Sequence, residues 1–216
     1  MSIRDLLRGQ PVFARPLPSF VPDETPDHPD ALFVAWLGEA IAAGVVEPHA
    51  MTLSTVDADG LPDARVLILK DVDDRGWQFA TSATSAKGRQ IAARPAAALG
   101  FYWREQGRQV RVRGTVAALD PQTSADDFRA RPDDSRVASL ASTQSEVLPD
   151  PADLERALTA SAATIAADPD TPSPDHTVYA VTPVAVEFWQ GDATRRHVRL
   201  RYRRDGDVWQ KELLWP

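Results

Sequence analysis

A chain of 216 residues, 43% of them apolar, with a formal net charge of -7, is long enough to bury a real core as one domain with appendages. The acidic balance argues against nucleic acid as a partner. The lack of cysteine excludes disulfides, thiolate metal sites and cysteine nucleophiles, and suits a reducing cytoplasm. No run approaches the roughly 18 apolar residues of a membrane span, and the N-terminus has no secretory apolar region. The expectation is a soluble cytoplasmic protein with no membrane contact.

Residues 1–29 read as an extended, proline-rich arm, with Pro11, Pro16, Pro18, Pro22, Pro26 and Pro29 barring a helix over much of it. Asp30 then caps an amphipathic helix carrying Leu32, Phe33, Trp36, Leu37, Ala40 and Ile41, which Gly44 and Pro48 end. From Met51 the pattern is strand and turn: 51–56, the turn Asp57–Gly60, 65–72, the turn Asp73–Gly76, and 77–81. A short helix fits 84–93, with Thr84 or Ser85 as its cap. Strands 96–103 and 109–119 flank the turn Glu105–Gly107, and Val110 and Val112 alternate with Gln109, Arg111 and Arg113. Helical composition marks 124–130 and 152–167, the latter with Leu154, Leu158 and Ile165 as a buried stripe. Strands return at 178–189, 198–203 and 208–214. Residues 30–216 thus read as a single α+β domain, mainly β, whose short antiparallel strands suggest a small barrel with peripheral helices.

Candidate chemistry lies in three places. In Arg195-Arg-His-Val-Arg199, a strand would set Arg195, His197 and Arg199 on one face, a costly arrangement unless an anion sits between them. Arg-rich strands also occur on solvated faces, so the segment weighs most when read with the others. Lys87, Thr84 and Ser85 stand at a predicted helix N-terminus, where unpaired amides favour anions, and with Arg65 they could cradle a phosphate. Gln109, Gln144 and Ser145 could serve a heterocycle edge that both donates and accepts. The four His are scattered without zinc-helix spacing, and no dinucleotide or P-loop glycine motif is present, so no metal is expected. The pattern suits a phosphorylated heterocycle and does not name it.

From about Asp30 to Pro216 the chain resembles the pyridoxamine 5′-phosphate oxidase family. The matching words include Arg65-Val-Leu-Ile-Leu-Lys70, Ser85-Ala-Lys-Gly-Arg89, Arg131-Pro-Asp-Asp-Ser135, Gln144-Ser145, Glu187-Phe-Trp-Gln-Gly191 and Arg195-Arg-His-Val-Arg-Leu-Arg-Tyr202. The resemblance implies an FMN-binding split β-barrel, a homodimer with FMN at the subunit interface, and a dimerisation and substrate segment at 174–216. It implies FMN contacts from Arg65, Val66, Leu67, Lys70, Thr81, Ser85, Lys87, Gln109, Gln144, Ser145, Trp189 and Arg199. Lys70, Arg131 and Ser135 would take the substrate phosphate, with Arg195 and His197 as the catalytic pair beside the reacting ring. Hydride would pass from the substrate to the flavin, with molecular oxygen as final acceptor.

Departures from the family pattern fall mostly on the substrate side. Asp127 stands where the resemblance expects a phosphate-binding Tyr, and a carboxylate there repels phosphate unless it turns away or pairs with an arginine such as Arg131. No Arg-Arg-x-Tyr element is evident in residues 1–18. Ala86, Ala80 and His176-Thr-Val178 replace the usual Arg, Tyr and Trp-Gly-Gly. Three functions remain in play: an oxidase of pyridoxamine or pyridoxine phosphate, a flavin oxidase of the phenazine-biosynthesis type acting on another small phosphorylated or carboxylated heterocycle, and a non-catalytic flavin or vitamer carrier. Asp127 and the passages Gly44–Ala50 and Gln144–Val147 favour the second; Lys70 favours the first.

Overall fold

The computed structural model describes residues 2–216. Six α-helices are present among them: α1 (Ile3–Arg8), α2 (Pro29–Ala42), α3 (Ala86–Ala93), α4 (Pro121–Arg129), α5 (Asp133–Ala141) and α6 (Pro151–Ala167). Nine strands accompany them: β1 (Ala50–Val56), β2 (Pro62–Ile68), β3 (Asp71–Asp73), β4 (Gly76–Ser82), β5 (Ala96–Trp103), β6 (Arg108–Ala118), β7 (His176–Gln190), β8 (Val198–Asp205) and β9 (Val208–Leu213). Hydrogen bonding orders the strands β2-β1-β5-β6-β7-β4-β3, with β8 joined to β7 and β9 to β8. The chain divides into two compact units.

The first unit comprises the chain to Thr52, Leu99–Val112 and Val184–Pro216. Its core is aromatic. Leu32, Phe33, Trp36 and Ala40 recur at helical spacing on α2 and are buried. Trp36 meets Phe188 edge-on at 5.2 Å, and Phe33 lies 4.8 Å from Phe101. Arg108 stacks its guanidinium 4.2 Å over Trp36 and pairs with Glu39 at 2.6 Å. Phe20 of the arm packs on Trp36 at 4.8 Å, and the Tyr202 hydroxyl donates to the Pro26 carbonyl at 2.7 Å. The proline-rich stretch is therefore laid against this core, while Ile3–Arg8 forms a helix closed by a Ser2–Asp5 capping box. The N-cap of α2 is His28 rather than Asp30. Pro29 takes the first helical position, where its missing N–H costs nothing.

The second unit comprises Leu53–Ala98 and Arg113–Pro183. The first half of β7 pairs antiparallel with β4, from Trp77↔Val181 to Ser82↔His176, and β4 turns back into β3. The predicted strand 65–72 is interrupted, with β2 ending at Ile68 and β3 beginning at Asp71. Helix α5 carries no strong periodic signal and escapes the sequence reading; α6 packs on it. The expected stripe on α6 reduces to Ile165, since Leu154 is 38% exposed. Gly88 in α3 is required by close approach. A Cβ there would stand 2.3 Å from the Ala83 carbonyl oxygen, which fixes where Lys87 enters the unit.

Candidate anion-binding site

Lys87 is the centre of the second unit's candidate site. Ser85 caps α3, its hydroxyl accepting from the Gly88 amide at 3.3 Å and donating to the Ser82 carbonyl at 2.7 Å. That cap delivers Lys87, 7% exposed, onto the Ser85 hydroxyl at 3.2 Å and the Gln144 carbonyl oxygen at 2.8 Å. Thr81 on β4 also donates to that Gln144 oxygen, at 3.4 Å. Ser145, at φ +79°, accepts from the Ala86 amide at 3.0 Å and so ties the loop after α5 to the start of α3. Among the described residues no carboxylate lies within ion-pair distance of Lys87. Burial pushes its ammonium below its ordinary range and the Arg65 guanidinium adds to this, with Asp63 opposing. Arg65 itself bonds Thr55 at 2.5 Å, Gln90 at 3.2 Å and Asp63.

Gln144 and Thr81 line a cavity of about 740 Å³, together with Val66, Leu67, Lys70, Arg131, Ser135 and His176. Val66, Leu67 and Lys70 come from β2 and its continuation, and Arg131 and Ser135 from the junction of α4 with α5. Arg131 donates to Ser139 at 2.6 Å, and burial lowers its pKa, with Asp127 acting against this. Asp127 does not pair with Arg131. Its carboxylate takes Lys70 at 2.9 Å and His176 at 2.7 Å. Burial works to raise its pKa, but those two hydrogen bonds prevail and hold it below the ordinary carboxylate value. Of the two ways round repulsion that the sequence left open, turning away or pairing with an arginine such as Arg131, neither describes the contacts: Asp127 is held by Lys70 and His176.

The remaining predicted residues belong to the first unit. Gln109, Trp189 and Arg199 line a recess of about 340 Å³ with Tyr102, Arg111, Glu187 and Pro216. Glu187 accepts from Arg199 Nε at 2.9 Å and also from Arg111. Its role went unread, although the β7–β8 register sets Glu187 opposite Arg201 and Trp189 opposite Arg199, and cross-strand pairing could have revealed it. The expectation of Arg195, His197 and Arg199 on one strand face fails. Strand β8 begins at Val198, and Arg195 sits at φ +68° in a turn whose amides bond Asp192. Arg195 is exposed there. His197 instead packs 4.9 Å from the Trp189 ring and 5.8 Å from Phe13, and its Nδ1 accepts from the Asp192 amide at 3.0 Å.

No helix among the described residues is long and apolar enough to cross a membrane. The family model described as pyridoxamine 5′-phosphate oxidase matches residues 37–190, and the pyridoxine 5′-phosphate oxidase C-terminal dimerisation region matches 176–216. A protein of Thermosynechococcus vestitus named pyridoxine/pyridoxamine 5′-phosphate oxidase is 47% identical over 191 residues, covering 88% of this chain and 90% of the relative. One of the same name from Salinibacter ruber is 44% identical, covering 90% and 92%. Among solved structures, PhzG of Burkholderia lata, crystallised with tetrahydrophenazine-1-carboxylic acid, superposes with a TM-score of 0.87. It is 33% identical, covering 93% of this chain and 99% of its own. That likeness fixes the split-barrel fold with peripheral helices. A cation-lined cavity on such a scaffold, with matches running from Leu37 to the last residue, leaves one conclusion: the chain belongs to the pyridoxamine 5′-phosphate oxidase family.

Proposed function

We propose that this chain is an FMN-dependent oxidase that converts pyridoxine or pyridoxamine 5′-phosphate to pyridoxal 5′-phosphate, working as a cytoplasmic homodimer with FMN at the subunit interface. Lys87 is the observation that carries the reading. A buried ammonium met, among the described residues, by an amide and a hydroxyl and by no carboxylate retains a field that an anionic phosphoester answers. The family match and the names of the relatives support the same assignment.

The residues present fit FMN. Lys87, Ser85, Thr81, Gln144 and Ser145, with Arg65 beside them, would hold the phosphate, and Val66, Leu67 and Lys70 the adjoining wall. Gln109, Trp189 and Arg199 would contact the cofactor at the dimer interface. When bound, FMN would supply the acceptor for a hydride from the substrate carbon and the route for those electrons to oxygen, with peroxide as the reduced product. Arg131, Ser135 and Lys70 would position the substrate's anionic end. His197 holds a proton in defined form: because Nδ1 accepts from the Asp192 amide, the neutral ring presents Nε2–H. Arg195 would supply a cation from its turn.

Pyridoxine phosphate added to FMN-loaded protein under nitrogen should bleach the flavin, and air should restore the colour with pyridoxal phosphate formed. Failure of both vitamers to bleach it would defeat the reading. The Lys70–Asp127 pair favours a second one, oxidation of a carboxylated heterocycle, in line with the likeness to PhzG and its bound acid. Bleaching by a dihydrophenazine acid but by neither vitamer would select it. Flavin uptake with no bleaching by any of these compounds would indicate a carrier.

A further inference from the structure

The cavity of the second unit carries a half-buried acid–base contact whose carboxylate and imidazole, Asp127 and His176, the proposed chemistry does not use. Three separate elements deliver it: Lys70 from the chain after β2, Asp127 from α4 and His176 from the start of β7. Lys70 Nζ lies 2.9 Å from Asp127 Oδ1, and His176 Nε2 lies 2.7 Å from Oδ2, so both carboxylate oxygens are engaged. The imidazole is 5% exposed and packs 5.4 Å from the ring of Phe128, the residue following Asp127. Facing an ionised carboxylate, Nε2 carries the proton and donates, which fixes the orientation of Asp127.

The effect on charge is direct. Lys70 and Arg131 are the lysine and arginine lining this cavity, and Asp175 lies on the same wall. Asp127 engages Lys70 and also acts electrostatically on Arg131. Lys70 and Arg131, the cations beside the substrate subsite, are therefore set against the carboxylates of Asp127 and Asp175. In a strongly positive pocket a phosphate dianion gains about twice what a carboxylate gains from the same charges; in a balanced pocket that advantage vanishes. Directed hydrogen bonds from Ser135 and Arg131 serve either group alike.

We infer that Asp127, held in place by His176, is a specificity determinant that flattens discrimination by charge, so that the substrate subsite takes a carboxylate-bearing heterocycle almost as readily as a phosphorylated one. The inference rests on reading this cavity as the substrate's binding site. Asp127 does its work through Lys70 and Arg131 and is a positioning residue.

The test uses FMN-loaded protein and two probes that cannot be oxidised: 4′-deoxypyridoxine 5′-phosphate and the same compound with a carboxylate replacing the phosphoryl group. Binding is read from the perturbed flavin absorbance. Wild-type protein should favour phosphate by less than about thirtyfold, and Asp127→Asn should raise that preference by at least about threefold. Asp127→Ser, a second neutral replacement, gives the same reading should the Asn variant fail to fold, and the wild-type ratio alone decides if both fail. A wild-type preference above that limit, or a smaller rise in the variant, overturns the inference while leaving the cavity as the substrate site. If neither probe binds, that reading of the cavity falls, and the inference with it.

Discussion

Two cations of the second unit, Lys87 and Arg131, are held differently from the strand arginines of the first. In the first, the strand arginines meet carboxylates: Arg108 meets Glu39, Arg111 and Arg199 share Glu187, and Arg201 and Arg203 share Glu212. In the second, Arg65 and Lys70 are paired as well, with Asp63 and Asp127, but Lys87 is met by Ser85 and Gln144, and Arg131 by Ser139. A cation already paired has little field left for a ligand, whereas one buried among neutral dipoles gains from any anion that arrives. Density of arginine is therefore a poor guide to a binding site; the partner of each cation is the better one. The segment from Arg195 to Arg204 is the most basic stretch of the chain, yet several of its guanidiniums are balanced within the unit.

The contrast separates when each side is perturbed alone. Trp36→Ala should have the largest effect, a loss of about 3–5 kcal/mol in chemical denaturation, because the indole is 3% exposed and joins Phe20, Phe188 and Arg108. A loss below about 1.5 kcal/mol would mean the aromatic cluster is not what holds the first unit. Lys87→Met should act on cofactor rather than fold. One charge-assisted contact of about 1.5–3 kcal/mol corresponds to FMN affinity weakened roughly 10- to 100-fold, read by flavin fluorescence titration. The cofactor-free variant should be at least as stable as wild type. Because burial and Arg65 hold Lys87 below its ordinary 10.5, the folded chain binds fewer protons than the unfolded one as pH nears that value. Wild-type stability therefore gains as pH rises through the window below 10.5, and the Met variant lacks that gain. Undiminished FMN affinity would remove Lys87 from the phosphate site.

Much of the fold was legible because turn residues punctuate it. Gly60, Gly76, Gly107 and Gly206 all adopt positive φ, and each marks a strand end near its predicted place. The alternation of buried Val110 and Val112 with Arg111 and Arg113 on β6 was likewise visible. The cap at Ser85, and with it the placing of Lys87, followed from local chemistry. What escaped was long-range. Asp127 and His176 stand 49 positions apart, and no spacing rule links them. The strand expectation at Arg195 failed because Asp192 accepts amide hydrogen bonds from Thr194 and Arg196, a side-chain competition that ends the extended chain. Helix α5 starts behind Arg131-Pro132 with two aspartates, a composition that reads as loop until tertiary packing decides otherwise.

A smaller perturbation tests how the arm is held. Tyr202 is fully buried, and its hydroxyl joins β8 to the Pro26 carbonyl. Tyr202→Phe keeps the ring against Phe188 and removes that one bond, so the expected cost is about 1 kcal/mol. Proteolysis within residues 11–27 should quicken in proportion. An unchanged cleavage rate would assign the arm's attachment to Phe20 and Phe13 instead.

The smallest effect should come from the paired arginines themselves. Arg111 is 47% exposed and shares Glu187 with Arg199. Removing it in Arg111→Ala leaves the buried Glu187 carboxylate with its second guanidinium, Arg199, so that charge is not orphaned. The expected loss is under about 1 kcal/mol and should shrink further in high salt, because the guanidinium removed is the solvent-facing one. A loss above about 2 kcal/mol would show that Glu187 needs both partners. The first unit's charges would then be as finely balanced as those around Asp127, and the contrast between paired and unpaired cations would lose its force.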